Sequence, residues 1–282
     1  MAKHKRGSVD LSKASPDQIV KAFAGKIDIL SKVGEGMAVS VVSTNLRLLD
    51  KALGIGGLPC GRIVELYGPE ASGKTSLACH FIACVQKAEG KAALIDAEHA
   101  IDPEMLDWFG ADSDKLLFRQ PDSGEEALNL VYDLSHSRAA DIIVVDSVAA
   151  LEPMSTQDRA IGEVLPGAQA RMMSDALRQI QPIVSRSNTI LVFINQTRMK
   201  IGVRFGNPET TPGGKALRFY AGVRMEVRKT GAVKKGGKIV GIDTKVKIVK
   251  NKVATPFKAC SLRLLIGKGW SCDAGGSEGD ED

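Results

Sequence analysis

The residues best suited to chemistry lie in one run, Gly68-Pro69-Glu70-Ala71-Ser72-Gly73-Lys74-Thr75, which spells G-x-x-x-x-G-K-T. Glycines let a backbone wrap tightly and turn its N–H groups inward, where they grip phosphate oxygens. The lysine reaches the outer phosphates of a nucleoside triphosphate, and the threonine hydroxyl suits Mg²⁺. A short apolar run, Ile63 to Tyr67, precedes the glycines, and a helical pattern over 76–88 follows them. Strand before and helix after are the context that gives this motif its meaning, because the helix N-terminus adds partial positive charge where the phosphates would sit.

Two carboxylates and an amide stand where such a site would need them. Asp146 ends the apolar strand that begins at Ile142, where it can hold the water shell of Mg²⁺ with Ser147 beside it. A strand-ending helix cap would leave the same trace. Glu98, in Asp96-Ala97-Glu98, lies just past a strand over 92–96 and is placed to orient or deprotonate an attacking water. Acids also close strands for solubility. Gln196 follows an apolar strand over 189–195; a neutral amide there could sense a terminal phosphate, but polar residues often end strands.

Beyond Gln196 runs a segment with little periodicity, TRMKIGVRFGNPETTPGG over 197–214. Arg198, Lys200 and Arg204 interleave with Met199, Ile201 and Phe205. Cations would hold nucleic-acid phosphates and Phe205 could lie between bases, whereas a flexible surface loop would share this composition. A weaker candidate loop, about Met154 to Gly167, carries Arg159, Gly162, Pro166 and Gly167. Net charge is +5; ten Lys/Arg lie between Arg224 and Lys252 against Glu226 and Asp243, and the chain is purely acidic after Lys268. That layout fits a polyanion-binding surface with an internal competitor, or a solvated basic face with an acidic end. Lys250-Asn251-Lys252 ends a strand of the basic region, where the lysines could reach phosphates of the same subunit, a neighbour or DNA, or could equally be a solvated basic strand end.

The elements that must position these groups alternate. Strands over 63–67, 92–96, 116–118, 142–146 and 189–195 are interleaved with helices over 76–88, from about Gly124 (capped by Asp122 or Ser123) and over 168–185. The expected fold is α/β: a mostly parallel sheet with helices on both faces. Strands over 222–229, 244–250 and 260–266, separated by Gly-rich turns, suggest an antiparallel extension on the sheet edge. Ahead of this core, Ser15-Pro16-Asp17-Gln18 starts a short helix, and Ile19, Phe23 and Ile27 give it one apolar stripe. A strand over 39–42 follows. The expected organisation is 1–43 as an N-terminal helix-and-strand element, 44–270 as the core, and 271–282 as an acidic tail. No apolar stretch is long enough to span a membrane, the basic N-terminus lacks a following apolar segment, and five cysteines without a C-x-x-C pair read as reduced thiols in a cytoplasmic setting.

The segments GRIVELYGPEASGKTSL, IDAEHAIDP, DIIVVDSVAAL, INQTRMKIGVRFGNPETTPGGKAL and VKNKVATPF together resemble the bacterial RecA recombinase family over roughly residues 44–269. The resemblance implies a RecA-type P-loop ATPase core using ATP and Mg²⁺. It assigns nucleotide contacts to Gly68 to Thr75, Ser76, Asp102 and Asp146, with Thr75 and Asp146 at the metal. Glu98 becomes the water-activating residue and Gln196 the γ-phosphate sensor. Lys250 and Lys252 match lysines that contact ATP across a subunit interface. DNA contacts fall on Arg198, Met199, Lys200, Ile201, Gly202, Val203, Arg204, Phe205, Gly206 and Asn207, and on Arg171, Gly213 and Gly214. Loops 158–167 and 197–211 match the first and second DNA-binding loops, and the helix at 16–25 with the strand near 39–42 matches a polymerisation element.

The same resemblance implies single- and double-stranded DNA as partners and self-association into a helical filament. It also admits single-strand-binding and mediator proteins. Departures are Met105 and Ile266 in place of aromatics against adenine, Lys215 for asparagine, and Pro166 for a longer side chain. The family's C-terminal domain has no counterpart after Trp270, so duplex capture is expected to be altered or handed to a partner. The leading expectation is a DNA-dependent ATPase that catalyses homologous pairing and strand exchange. A ring-forming DNA motor and an ATP-dependent DNA-coating regulator with weak hydrolysis are the alternatives.

Overall fold

The computed structural model describes residues 14–23, 26–28, 38–157, 159, 165–199 and 209–272. The chain divides into two units, Met1–Val39 and Ser40–Asp282. In the first, helix α1, Pro16–Ala22, opens on the capping box read from the sequence: the Ser15 hydroxyl accepts from the Gln18 N–H, and the Gln18 side chain accepts from the Ser15 N–H. The helix stops at Ala22, short of the expected 25, with Gly25 close behind. Ile27 therefore lies outside it, and no residue of α1 is buried. The strand expected over 39–42 shortens to β1, Val41–Val42, and belongs to the second unit, where it pairs antiparallel with β2, Leu58–Pro59. The buried Leu58 gives it a partner inside its own chain.

The second unit is built on a nine-stranded sheet, ordered β13-β12-β11-β10-β3-β7-β6-β4-β5. The parallel part comprises β3 (Ile63–Gly68), β4 (Ala92–Asp96), β5 (Leu116–Arg119), β6 (Ile142–Asp146), β7 (Ile190–Gln196) and β10 (Val223–Lys235). On the β10 side, β11 (Lys238–Asn251), β12 (Ala259–Leu265) and β13 (Gly269–Ser271) continue it antiparallel. The expected α/β architecture is thus the observed one. Strand β6 shows why the sheet needs cover on both faces. Ile142 and Val144 enter one core, while Ile143 and Val145 enter the other.

Helix α2 (Arg47–Leu53) and helix α3 (Lys74–Lys87) cover the first face. Leu77, Phe81 and Ile82 of α3 are fully buried there, each stabilising the fold by about 1.5–3 kcal/mol. The short helix α4 (Pro103–Trp108) adds Leu106 to that face. Helix α5 (Gly124–His136, capped by Ser123) and helix α7 (Ala168–Ser187) cover the second; between them in sequence lies the single turn α6 (Met154–Gln157). Helix α7 buries Met173, Leu177, Ile180 and Val184, the i, i+4, i+3 spacing of one helical face. A last short helix, α8 (Ala216–Tyr220), leads into β10. Among the described residues no helix is long and apolar enough to cross a membrane, and all five cysteines are free.

Strands β10 and β11 run well past the expected 222–229 and 244–250 and form a long hairpin closed at Gly236-Gly237. Lys229, Lys234, Lys235 and Lys238 line its outer half and are exposed, so no apolar alternation marks that part of the ladder.

Candidate active site

The parallel sheet brings the phosphate-loop motif to the carboxyl end of its central strands. β3 ends at Gly68, where a Cβ would fall 2.0 Å from the Val227 carbonyl oxygen, so only glycine fits beside β10. The chain then turns through Ala71 (φ 53) and Gly73 (φ 91), both left-handed, before α3 begins at Lys74. Gly73 is the N-cap and offers no side-chain acceptor, so the first-turn N–H groups of α3 remain for an anion. The Ser72 hydroxyl is buried without a hydrogen-bond partner. Lys74 is buried to 7% exposure and its Nζ donates to the Pro69 carbonyl at 2.7 Å. Burial lowers its pKa, with Asp146, Glu98 and Glu70 acting the other way. A buried ammonium, an orphan hydroxyl and uncapped amides converging on one loop fit a polyphosphate.

Trp270, on β13, was not singled out from the sequence as part of this loop. A Cβ on Gly73 would meet its indole carbons at 2.9 Å. The side chain is 8% exposed. Gly73→Ala therefore faces both a left-handed φ and an indole wall. It is expected to weaken nucleotide binding about tenfold or more, measured by titration with a fluorescent nucleotide.

Asp146, Glu98 and Gln196 come together around this loop. The Thr75 hydroxyl donates to Asp146 Oδ2 at 2.6 Å. Burial pushes the Asp146 carboxyl up to about 6; the Thr75 hydrogen bond opposes this, and Glu98 and Asp96 reinforce it. The Glu98 carboxylate accepts from the Ser147 hydroxyl and, at 2.9 Å, from Gln196 Nε2. The backbone joins the same groups: Ala97 and Glu98 N–H donate to the Asp146 carbonyl, and Thr197 N–H donates to the Gly68 carbonyl. Asp96 was read only as the strand end before Glu98, yet it is fully buried and accepts from Ala100 N–H, Ile101 N–H and Gln120 Nε2. With Gln120 it holds the turn that presents Glu98. The only sequence signal was a second acid two residues before the first.

The remaining expected site residues make other contacts. Asp102 caps α4 by accepting from Glu104 N–H at 2.9 Å, and Met105 packs half-buried on the core, while Ile266 is 59% exposed. Ser76 is half-buried in the first turn of α3. Lys250 Nζ donates to the Arg218 and Phe219 carbonyls at the end of α8, and Lys252 lies over the Phe219 ring. Their position follows from register. Val223 pairs with both Val64 and Asn251, at the amino end of β3, whereas the phosphate loop leaves its carboxyl end.

On the candidate nucleic-acid side, Arg198 and Met199 form the exposed strand β8 (Arg198–Met199), paired with β9 (Glu209–Thr210). Lys200, Ile201, Gly202, Val203, Arg204, Phe205, Gly206 and Asn207 lie outside the described residues, as do 158 and 160–164 of the weaker loop. Arg171, in α7, is exposed and donates to the Pro166 carbonyl. Gly213 and Gly214 have φ of 78 and 76, and a Cβ on either would fall 2.8 Å from Val148 or Ala170.

A family model described as the RecA N-terminal domain matches residues 11–271. A Protein RecA of Thioalkalivibrio sulfidiphilus is 52% identical over 261 residues, covering 92% of this chain and 76% of the relative. That of Symbiobacterium thermophilum is 52% identical over 270 residues, covering 95% and 76%. That of Caulobacter vibrioides is 54% identical over 256 residues, covering 90% and 71%. The crystal structure of the RadB recombinase matches with a TM-score of 0.61 at 20% identity, covering 82% of this chain and 98% of that one, which is a likeness of fold.

Proposed function

Because the chain belongs to the RecA family of DNA-dependent ATPases and recombinases, we propose that its phosphate loop takes ATP with Mg²⁺ and that hydrolysis there governs its grip on single-stranded DNA. In this reading the backbone of Gly68 to Gly73, with Ser72 and Ser76, cradles the phosphates and Lys74 neutralises them. Thr75 and Asp146 hold Mg²⁺, whose chemistry is charge neutralisation at the phosphates. Glu98 accepts the proton of the attacking water. Arg198 to Asn207, with Arg171, Gly213 and Gly214, takes the DNA, its cations on phosphates and Phe205 against a base.

One observation carries this reading. The Glu98 carboxylate is hydrogen-bonded at once to Ser147, next to Asp146, and to Gln196, which opens onto the cationic segment. Occupancy of the phosphate site and the posture of the DNA segment thus share one side chain.

Lys250 and Lys252 are proposed to serve a neighbouring subunit. From Val64 to Gly68 is roughly 13 Å of strand, which puts the lysines at the wrong end of the sheet for their own phosphate loop. A shared site requires the chain to self-associate, in keeping with a helical filament and with a polymerisation role for helix α1. Asp102 and the apolar Met105 would then face the base, and the acidic residues 271–282 would compete with DNA for the basic hairpin. Cytoplasmic residence, and exchange of DNA with single-strand-binding and mediator proteins, complete the proposal.

The test is strand exchange between a single strand and a homologous duplex, with ATP hydrolysis followed in parallel. ATP-dependent exchange is expected in the wild type, and Lys74→Ala should lower hydrolysis by about 10²–10³ and reduce exchange to background. A wild-type protein that pairs no homologous DNA with any nucleotide would remove the proposal.

A further inference from the structure

We propose that Gln169, the second residue of α7, is a positioning residue that transmits the state of the ATP site to the DNA segments. The inference rests on the function proposed above and assigns a side chain to its coupling step.

The geometry is specific. Gln169 Nε2 donates to two carbonyls, Val148 at 2.8 Å and Leu151 at 3.0 Å. Its Oε1 accepts from Gly213 N–H at 3.2 Å. One half-buried amide therefore ties three segments. The first is the short 3-10 turn, Val148–Ala150, that follows Asp146 and Ser147. The second is the start of α7, which leaves the weaker loop at Gly167. The third is the Gly213-Gly214 exit from the cationic segment. The segments also approach closely. A Cβ on Gly213 would strike Val148, and one on Gly214 would strike Ala170, beside Gln169. A displacement of Val148 caused by a change at Asp146 or Ser147 would press on Gly213 or strain the Gln169 bridge.

This link enters the cationic segment from its far end. Gln196 joins the Glu98 carboxylate at the entrance, and Gln169 joins the downstream turn of the Asp146 strand at the exit. Both described ends of the segment are then tied to the nucleotide site. Gln169 touches none of the groups assigned to phosphate, metal or water. Its loss should spare the basal reaction and remove the response to DNA.

The experiment uses the full chain with Gln169→Ala and Gln169→Glu. The glutamate keeps the length and the acceptor for Gly213 but turns a carboxylate toward two carbonyls. ATP hydrolysis is measured with and without oligo-dT, and oligo-dT affinity by anisotropy with and without a non-hydrolysable ATP analogue. Both variants should hydrolyse ATP without DNA within about twofold of wild type. Each should lose about tenfold or more of the DNA stimulation and a similar factor of nucleotide-dependent DNA affinity, within the range of measured coupling between sites. Stimulation close to wild type in Gln169→Glu overturns the inference. So does an equal fall of basal and stimulated rates in both variants, which would make the residue merely structural. A wild-type chain that DNA does not stimulate at all would instead overturn the proposed function, and this inference with it.

Discussion

In Glu98→Gln, ATP hydrolysis in the presence of single-stranded DNA should fall by about 10²–10⁴, the usual contribution of a positioned general base, while ATP-dependent DNA binding persists. The substitution separates two duties of one side chain. As a hydrogen-bond acceptor, Glu98 Oε1 receives the Ser147 hydroxyl and the Gln196 amide. The amide oxygen of a glutamine can still accept from both, so the link from the phosphate site to the DNA segment survives. In its proposed role as a base, the carboxylate must take a proton, and an amide cannot. The variant should therefore load ATP, clasp DNA and fail to let go. Phosphate release measures the first effect, and the dissociation rate of labelled oligo-dT under excess competitor measures the second, which should slow. A hydrolysis rate within a few-fold of wild type would show that Glu98 only shapes the site. Gln196 would then need another route to the nucleotide.

How much of this was legible before the fold was known depended on whether a residue's neighbours were close in sequence. Gly68 to Thr75 could be read because the motif, its strand and its helix are contiguous, and α3 begins at Lys74, within two residues of expectation. Asp146, Glu98 and Gln196 each end or follow an apolar run, so their place on the carboxyl edge of a parallel sheet followed from strand order alone. Their mutual hydrogen bonds did not, since those depend on β6 lying between β4 and β7. Helix α2 was missed because its N-cap, Leu46, makes no side-chain cap hydrogen bond, and its seven residues are held by burying Leu49, Ala52 and Leu53. Pairing between distant strands also hid the ion pair of Arg224 with the fully buried Glu65, where Arg224 lies over Tyr67. Trp270 and Gln169 were illegible for the same reason, since Trp270 meets Gly73 and Gln169 meets Gly213 only once distant strands and loops have come together. Register also restricts Lys250 and Lys252, which from sequence could have reached phosphates in their own subunit. β11 closes at the end of the sheet opposite to the phosphate loop of its own chain.

Asp146→Asn should make the nucleotide-free protein more stable at neutral pH while removing most of its Mg²⁺-dependent hydrolysis. The folded chain holds the Asp146 proton more tightly than the unfolded chain, because burial raises its pKa from 3.8 to about 6. A raised carboxyl pKa contributes stability that is fully present below 3.8 and lost as pH rises through about 6. At pH 7.5 the ionised carboxylate thus costs the empty site on the order of 2–3 kcal/mol. A bound Mg²⁺, in the proposed role of Asp146, would offset that cost. Asparagine is nearly isosteric, and its Oδ1 can still accept from the Thr75 hydroxyl, which now donates to Asp146 at 2.6 Å. The melting temperature at pH 7.5 should accordingly rise by about 4–12 °C, at about 2–4 °C per kcal/mol for a chain of this size. The difference should shrink as pH falls below about 6, where the wild-type carboxyl takes its own proton. ATP hydrolysis should drop about 10²-fold or more if Asp146 holds the Mg²⁺ water shell as proposed, because that ligand has then lost its charge. An unchanged or lower melting temperature at pH 7.5, with the fold intact by circular dichroism, would mean that Asp146 is already paid for by its neighbours and is not held in waiting for a metal.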